Sequence, residues 1–151
     1  MKVIFAIPND SEIEIILDFI RQLYENEHIV FDKPMLHTSL EKMMKDDSLG
    51  KVWLICDEGE AVGYCLLTFG YSLEFHGRDA LLDEFYIKES YRSKGIGQET
   101  IKFLEGVCRE LGVDALHVHV DKKNIKAQAL YDKIGFKALD RILMTKWIKK
   151  C

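Results

Sequence analysis

The sequence predicts a mixed α+β fold, in which a largely antiparallel sheet carries helices on both faces. Three observations indicate this class. Apolar runs typical of strands alternate with segments whose apolar residues recur at helical spacing. Short turns join three strands in the middle of the chain, as in an antiparallel meander, and helices separate the later strands, as in crossover connections. The predicted order is β-α-α-β-β-β-α-β-α-β-β within a single domain, residues 1–151.

The first half of the chain predicts one strand, two helices and the meander. Residues 2–7 read as an apolar strand, and a capping-box pattern from Ser11 to Glu14 opens a helix. A second capping-box pattern, from Thr38 to Glu41, opens a short helix. Turn-forming residues then separate three apolar strands, at 52–56, 61–73 and 80–87.

The second half alternates helices with strands. A stripe of apolar residues at helical spacing begins after Gly97 and ends at Gly112, where glycine favours helix termination. Residues 115–120 alternate as a strand does, and a further helix starts at Asn124. The last predicted elements are two closing strands, at 136–139 and 141–148.

Composition restricts the class of protein. The chain has 151 residues, of which 48% are hydrophobic and 30% charged, a balance typical of a globular domain with its own core. The formal net charge of −4 argues against a nucleic-acid binder, which needs a basic face. No apolar run reaches the ~18 residues of a membrane span. The start shows no leader pattern, and the four cysteines show no metal-like spacing. We therefore expect a cytoplasmic protein with no metal, membrane or nucleic-acid partner.

The segment from Tyr91 to Gln98 carries the strongest functional signal. It lies between a strand and a helix, where glycine lets backbone N–H groups face a ligand and a helix N-terminus favours negative charge. Arg92 and Lys94 add positive side chains. This chemistry suits a phosphate or pyrophosphate. The GxxxxGK[ST] pattern is absent, and GxGxxG fails because Thr100 stands in place of the third glycine.

Two motifs resemble the GNAT superfamily of acetyl-CoA-dependent N-acetyltransferases. The first is R-x-x-G-x-G, from Arg92 to Gly97, and the second is N-x-x-A-x-x-x-Y, from Asn124 to Tyr131. The predicted order of elements is also similar to that fold. Family members often carry proline where this sequence has Glu89, a departure that concerns the turn. The resemblance implies an enzyme that transfers an acetyl group from acetyl-CoA directly to an amine.

The resemblance also implies which residues bind the coenzyme. Backbone groups of the last meander strand would pair with the pantetheine arm, and those of the glycine loop would bind the pyrophosphate. Asn124 would hydrogen-bond the pantetheine, and Tyr131 would protonate the leaving thiolate. Both also suit a purely structural role, as a helix N-cap and as a core tyrosine. The full set is Phe85, Tyr86, Ile87, Arg92, Ser93, Lys94, Gly95, Ile96, Gly97, Gln98, Asn124, Ala127 and Tyr131.

An acidic pair in the last meander strand supplies the candidate catalytic base. Asp83 and Glu84 interrupt an apolar strand, where a carboxylate is costly unless it is solvated, paired or functional. Neighbouring strand residues point to opposite faces, so at most one of the two faces the substrate directly. Similarity to the diamine acetyltransferases favours Asp83. Glu84, and a structural salt bridge with Arg78 or a lysine, remain open.

The acceptor pocket is expected where the GNAT fold usually builds it, near segment 25–37 and the turn before the last meander strand. The candidate substrate-binding residues are Phe31, Glu74, Phe75 and His119. His119 also forms an HxH pair with His117, but no third metal ligand is evident. The acceptor itself stays open among polyamines, aminoglycosides, other small amines and peptides.

Two alternatives to an enzyme remain open at this point. A non-catalytic acyl-CoA sensor on the same fold would keep the loop but would need no acid or base. A phosphate-binding regulatory domain unrelated to acyl transfer would prefer ATP to coenzyme A. The closing strand pair and the apolar C-terminal segment favour a homodimer.

Overall fold

The computed structural model describes residues 2–149, which separate into two compact units, one ending at His119 and the other beginning at Val120. The elements of the first unit are β1 (Val3–Ala6), α1 (Ile13–Glu27), α2 (Lys33–Lys45), β2 (Gly50–Asp57), β3 (Glu60–Ser72), β4 (Gly77–Ile87), α3 (Ile96–Glu110) and β5 (Ala115–Val118). Short 3-10 helices cover Asp10–Glu12 and Glu89–Tyr91. The second unit contains α4 (Ile125–Lys133). None of these helices is long and apolar enough to cross a membrane.

The five strands form one sheet in chain order, β1-β2-β3-β4-β5. Every neighbouring pair is antiparallel except β4 and β5, which are parallel and joined through α3. Helices α1 and α2 cover one face of the sheet, which we call the α1 face. On this face Phe19 packs against Tyr64 of β3 and Tyr86 of β4. Helix α3 covers the opposite α3 face, where Phe103 lies against Phe5 and Trp53. The predicted fold class is therefore confirmed.

Burial on both faces explains why the central strands are apolar along nearly their whole length. Leu54 and Ile55 are neighbours on β2 and point to opposite faces, yet they are only 1% and 0% exposed. A strand that packs helices on both sides has no solvent face, so its sequence need not alternate.

The start of α1 differs from the sequence prediction. Asn9, and not Ser11, makes the capping interaction, because its N–H donates to Oε1 of Glu12 at 3.0 Å. The Ser11 hydroxyl donates to Oδ1 of Asn9 at 2.6 Å. A 3-10 turn at Asp10–Glu12 therefore precedes α1, which begins at Ile13. Two overlapping capping patterns occur here, and the sequence alone does not select between them.

The start of α2 was also misplaced by the capping-box pattern. The helix begins at Lys33, and Oδ1 of Asp32 caps it by accepting from the Met35 N–H at 3.2 Å. Thr38 lies inside the helix, where its hydroxyl donates to the Pro34 carbonyl at 3.1 Å. A threonine that bonds back to the preceding turn is compatible with a helix interior, so Thr38 followed by Glu does not mark a start.

A bulge at Asp83 reverses the alternation of β4. Leu66 of β3 pairs with Glu84, whereas the next residue, Leu67, pairs with Leu82, so Asp83 has no partner on β3. A bulge inserts one extra residue into a strand, which exchanges the faces that the following side chains occupy. As a result Leu82 points to the α3 face and Glu84 points to the α1 face.

The predicted closing strands are wrong. Residues 136–149 form no strand, and the large apolar side chains from Leu139 onward are exposed, with Trp147 at 77% and Ile148 at 89%. A strand is stabilised by hydrogen bonds to a neighbouring strand, which an apolar sequence does not itself provide. The homodimer drew part of its support from this strand pair and stays a prediction.

Candidate active site

The loop between β4 and α3 presents free backbone donors. Ser93 and Gly95 both have left-handed backbones, with φ of 62° and 85°. Gly95 is the N-cap of α3, and a β-carbon added there would meet nothing within 4 Å. The first N–H groups of a helix have no acceptor within it. Those of Ile96, Gly97 and Gln98 can therefore donate to an anion placed at this open helix start.

The two basic side chains of the loop are held against aromatic rings. The Arg92 Nε donates to the Ile87 carbonyl at 2.8 Å, and its guanidinium lies 5.4 Å from the centroid of the Tyr86 ring. The Lys94 ammonium lies 5.5 Å from the centroid of the Tyr91 ring. Arg92, predicted as a coenzyme contact, thus ties the loop to the end of β4.

Beyond Leu82, β4 has a free edge. The parallel pairing of β4 with β5 ends where Leu82 lies beside Val118, but β4 continues to Ile87. Among the strands of residues 2–149, none pairs with this part of β4 on the side where β5 has ended. This unpaired edge of β4 leads along the chain to the glycine loop.

The free edge carries backbone groups that can bind a ligand. The Lys88 N–H donates to the Val62 carbonyl of β3 at 2.8 Å. Alternate residues of an antiparallel strand direct their N–H and C=O groups to opposite edges, so Phe85 and Ile87 direct theirs away from β3. The Ile87 carbonyl already accepts a hydrogen bond from the Arg92 side chain. The Ile87 N–H and both groups of Phe85 remain to pair with an extended ligand that contains amides.

Glu84 is a half-buried carboxylate held by two phenols. The Tyr24 hydroxyl, from α1, donates to Oε2 at 2.5 Å, and the Tyr64 hydroxyl, from β3, donates to Oε1 at 2.8 Å. Burial raises the pKa of this carboxyl, and the nearby charges of Asp83 and Glu27 also raise it, whereas the two hydrogen bonds lower it. The net direction is upward, so Glu84 binds a proton more readily than an ordinary glutamate.

The two phenols remain donors over the physiological pH range. Burial, together with the adjacent Glu84, raises the pKa of both Tyr24 and Tyr64 well above the usual tyrosine value. Tyr64 is fully buried, and its ring lies against Phe19 with the centroids 6.3 Å apart. Packing therefore fixes the Glu84 carboxylate in position on the α1 face.

The two members of the acidic pair differ in exposure and in their pairing with β3. Asp83 lies exposed at the bulge, while Glu84 points toward α1. Arg78, considered as a salt-bridge partner, instead donates to the Leu111 carbonyl at 3.1 Å and lies 4.5 Å from the centroid of the Phe69 ring. Because phenols occupy both oxygens of Glu84, a salt bridge does not explain its presence in the strand.

The predicted acceptor residues lie in different parts of the first unit. Phe31 packs edge-on against Tyr24, with the ring centroids 6.5 Å apart, and Glu74 lies in the turn between β3 and β4. Phe75 packs edge-on against His117, at 4.5 Å. His119 lines a cavity of about 300 Å³ on the β3–β4–β5 side of the sheet.

Asp79 is a residue of this region that the sequence did not single out. Its Oδ2 lies 3.0 Å from Nε2 of His117, and both side chains line the same cavity. Aspartate is uncommon in strands, so its place just before the predicted start of the strand at residue 80 indicated a turn. No spacing in the sequence marks Asp79, because the register of β3 and β4 is what brings it opposite Gly70.

In the second unit, the residues of the second motif hold α4 and a neighbouring ring. Oδ1 of Asn124 accepts from the Ala127 N–H at 3.0 Å, which confirms its predicted structural role as N-cap. The Tyr131 ring packs edge-on against Phe136, with centroids 5.5 Å apart. Burial raises the pKa of Tyr131, so this phenol is protonated at neutral pH. The coenzyme contacts of both residues remain predictions.

Three cysteines within residues 2–149 are free thiols with little nucleophilic character. Burial raises the pKa of Cys56, Cys65 and Cys108, which disfavours the reactive thiolate form. Over the same residues, no group of three or more His, Cys, Asp and Glu side chains is arranged to hold a metal ion. Oxygen and nitrogen groups of the loop, the strand edge and Glu84 are therefore the chemistry this region offers.

Comparison with known proteins identifies the family. Residues 17–136 match the sequence model of the Acetyltransferase (GNAT) family. The chain belongs to this family. The two sequence motifs had predicted this membership. The GNAT match includes the strand edge, the glycine loop and the second motif.

Two curated relatives are similar over part of their length. An uncharacterized N-acetyltransferase of Bacillus subtilis, YdgE, is 35% identical over 104 residues, which cover 68% of this chain and 64% of that protein. A thialysine N-epsilon-acetyltransferase of Bos taurus is 38% identical over 74 residues, which cover 49% of this chain and 43% of that protein. The chain thus spans less than two thirds of the length of these relatives.

A solved structure shows the same fold. The crystal structure of a predicted acetyltransferase from Clostridium acetobutylicum, obtained with acetyl-CoA, superimposes with a TM-score of 0.79 over 96% of both chains. Sequence identity is 14%, so this likeness concerns the GNAT fold alone.

Proposed function

We propose that this GNAT enzyme transfers the acetyl group of acetyl-CoA directly to a primary amine of a small molecule or a peptide. The observation that carries the proposal is the continuity of the free β4 edge with the glycine loop. Phe85 and Ile87 offer amide-pairing groups, and the start of α3 offers donors for an anion. Pantetheine contains amides and is linked to a diphosphate, so coenzyme A matches both sets in their order along the chain.

The donor is held, on this proposal, by backbone groups. The N–H groups of Ile96, Gly97 and Gln98 bind the diphosphate, and the edge of β4 pairs with pantetheine. Arg92 keeps the loop attached to the strand through the Ile87 carbonyl, at 2.8 Å. When bound, acetyl-CoA supplies an activated thioester. Asn124 contributes a hydrogen bond to pantetheine, a role compatible with its capping of α4.

Glu84 is the proposed general base. Amines are mostly protonated at neutral pH, so a group near the acceptor must take up a proton before the nitrogen can attack. Glu84 is fixed by Tyr24 and Tyr64, and its raised pKa moves it toward the range where a carboxylate is an effective base. Asp83 is exposed at the bulge and lacks such a framework. We therefore favour Glu84 over Asp83, the reverse of the order that similarity to diamine acetyltransferases suggested.

Tyr131 is the proposed general acid. A thiolate leaving group is stabilised when a nearby phenol donates a proton to it. The pKa of Tyr131 is raised by burial, so the proton to be donated is present at neutral pH. With Glu84 accepting and Tyr131 donating, no covalent enzyme intermediate is required.

A substrate panel tests the proposal. Purified protein is incubated with acetyl-CoA and a set of primary amines and peptides, and thiol release and acetylated product are measured together. We expect acetylated amine with one equivalent of free coenzyme A. Glu84→Gln should lower kcat/KM by about 10²- to 10⁴-fold, the usual contribution of a general base. Asp83→Asn serves as the matched control and should change kcat/KM far less.

Two outcomes would contradict this assignment. Tight binding of coenzyme A without turnover on any amine would indicate an acyl-CoA sensor. A thermal shift with ATP larger than that with coenzyme A would indicate a phosphate-binding regulatory domain.

A further inference from the structure

The cavity beside Asp79 opens on the same face of the sheet as the proposed base. On β3, Leu66 lies opposite Glu84 and Gly70 lies opposite Asp79. Leu66 and Gly70 are four residues apart and share a face, because side chains alternate with a period of two. The bulge at Asp83 places Glu84 on that same face. Without the bulge, Glu84 and Asp79 would point to opposite sides of the sheet.

Small neighbours leave the Asp79 carboxylate accessible. Its two partners in register are Gly70 on β3 and Ala115 on β5. A β-carbon at Gly70 would lie 2.8 Å from Oδ1 of Asp79, so the carboxylate occupies the space that glycine leaves. His117 holds the other oxygen, Oδ2, at 3.0 Å, and the Asp79 side chain is 18% exposed. One carboxylate oxygen is thus fixed, and the other lies beside the cavity.

The charge of the cavity favours a cation. Its lining within the described chain contains Asp79, His117 and His119 as ionisable groups and neither lysine nor arginine. The neighbouring Arg78 turns to the Phe69 ring and the Leu111 carbonyl. Asp79 is the acidic side chain of this lining. A partly buried carboxylate of this kind binds an ammonium group through a charge-assisted hydrogen bond.

The distance between the two carboxylates sets the length of the ligand. Strand residues rise about 3.3 Å each, so the four-residue separation of Leu66 and Gly70 places the backbones of Glu84 and Asp79 about 13 Å apart. One small monoamine does not reach both groups, whereas an elongated molecule with an amine at each end does.

We propose that the Asp79–His117 cavity is a second subsite for the acceptor, which binds a positively charged group remote from the amine that is acetylated. The substrate class is then an elongated diamine or polyamine. This inference rests on the proposed function, because it places the reacting amine beside Glu84. It adds a recognition element for the other end of the molecule.

Matched amines test the subsite. The wild-type enzyme is assayed with 1,8-diaminooctane, with octylamine, which lacks the second charge, and with 1,3-diaminopropane, which is too short to reach both carboxylates. We expect kcat/KM to be highest for 1,8-diaminooctane. Asp79→Asn should lower the preference for this diamine over octylamine by about 10- to 100-fold, mainly by raising its KM, since a hydrogen bond to a charged group is lost. Asp114→Asn removes an exposed carboxylate before β5 and should leave the preference unchanged.

The outcomes distinguish this inference from the function on which it rests. If no amine is acetylated, the proposed function fails. If octylamine is acetylated as efficiently as the diamine, the acetyltransferase proposal stands and the subsite is refuted. Equal losses with both amines in Asp79→Asn, carried by kcat, would also refute it, because they would indicate a role in catalysis or folding. Far-ultraviolet circular dichroism of the variant separates those two causes.

Discussion

Tyr24→Phe tests whether Glu84 is the base by changing its pKa without removing it. The Tyr24 hydroxyl donates to Oε2 of Glu84 at 2.5 Å, and the phenylalanine ring keeps the packing of α1. A hydrogen bond to a charged group contributes about 1.5–3 kcal/mol, and one pKa unit corresponds to about 1.36 kcal/mol. Water replaces part of the lost bond at this half-buried site. We therefore expect the pKa of Glu84 to rise by about 1 unit.

The sign of the effect on activity follows from the role of a base. Only the ionised Glu84 accepts a proton, so activity falls as the pH drops through its pKa. In Tyr24→Phe the acidic limb of kcat/KM against pH should move upward by about 1 pH unit. Ionisation of the amine affects both enzymes equally and cancels in the comparison. Tyr71→Phe is the control, because Tyr71 is 79% exposed on the β3–β4 hairpin.

The free energy of unfolding of Tyr24→Phe should also depend on pH through the pKa of Glu84. The folded-state pKa of Glu84 is already raised, so its ionisation opposes folding as the pH rises through that value. Tyr24→Phe raises the pKa further and should lower the free energy of unfolding more at pH 7 than at pH 4. The control Tyr71→Phe should leave the acidic limb of kcat/KM against pH unchanged. If Tyr24→Phe leaves that limb unchanged as well, another group titrates and Glu84 is not the base.

Three other changes address the loop, the acid and the core. Gly95→Asp should abolish coenzyme A binding in calorimetry, because it places a negative charge at the anion site on a left-handed backbone. Gly112→Asp is the control: Gly112 is also left-handed but lies at the opposite end of α3, so this variant should still bind coenzyme A. Tyr131→Phe keeps the packing and should lower kcat with little effect on KM; wild-type turnover would exclude the phenol from the mechanism. Leu104→Ala, at a 0% exposed site, should lower the free energy of unfolding in urea by about 2–5 kcal/mol, against less than about 0.5 kcal/mol for Leu73→Ala, which is 88% exposed.

The sequence predicted those parts of the site that depend on local geometry. The glycine pattern predicted a turn that opens a helix between Tyr91 and Gln98, and the left-handed Gly95 and the start of α3 at Ile96 lie within that segment. Asn124 caps α4 because an asparagine before an apolar helical stripe does so through its own side chain. These features require only residues that are neighbours in the chain.

Features that depend on distant residues were not predictable in the same way. Tyr24 and Glu84 are separated by 60 positions, and Asp79 and His117 by 38. Neither pair has a spacing that marks it, because the contacts depend on which strands are adjacent and on their register. The closing strands failed for the same reason, since the apolar alternation of 141–148 does not specify a partner strand.

The bulge at Asp83 shows how one unpaired residue connects local sequence with contacts between distant residues. Regular alternation implied that Asp83 and Glu84 face opposite sides of the sheet. The side that Glu84 takes depends on whether the residue between Leu82 and Glu84 pairs with β3. Because Asp83 is left unpaired, Glu84 reaches the α1 face, where Tyr24 and Tyr64 provide hydrogen bonds. In a regular strand the same carboxylate would point to the apolar α3 face, where an unpaired charge is strongly disfavoured. The hydrogen bonds to Glu84 therefore stabilise the bulge itself, and the β4 edge along which the acetyl donor is proposed to bind begins directly after Leu82, where the pairing with β5 has ended.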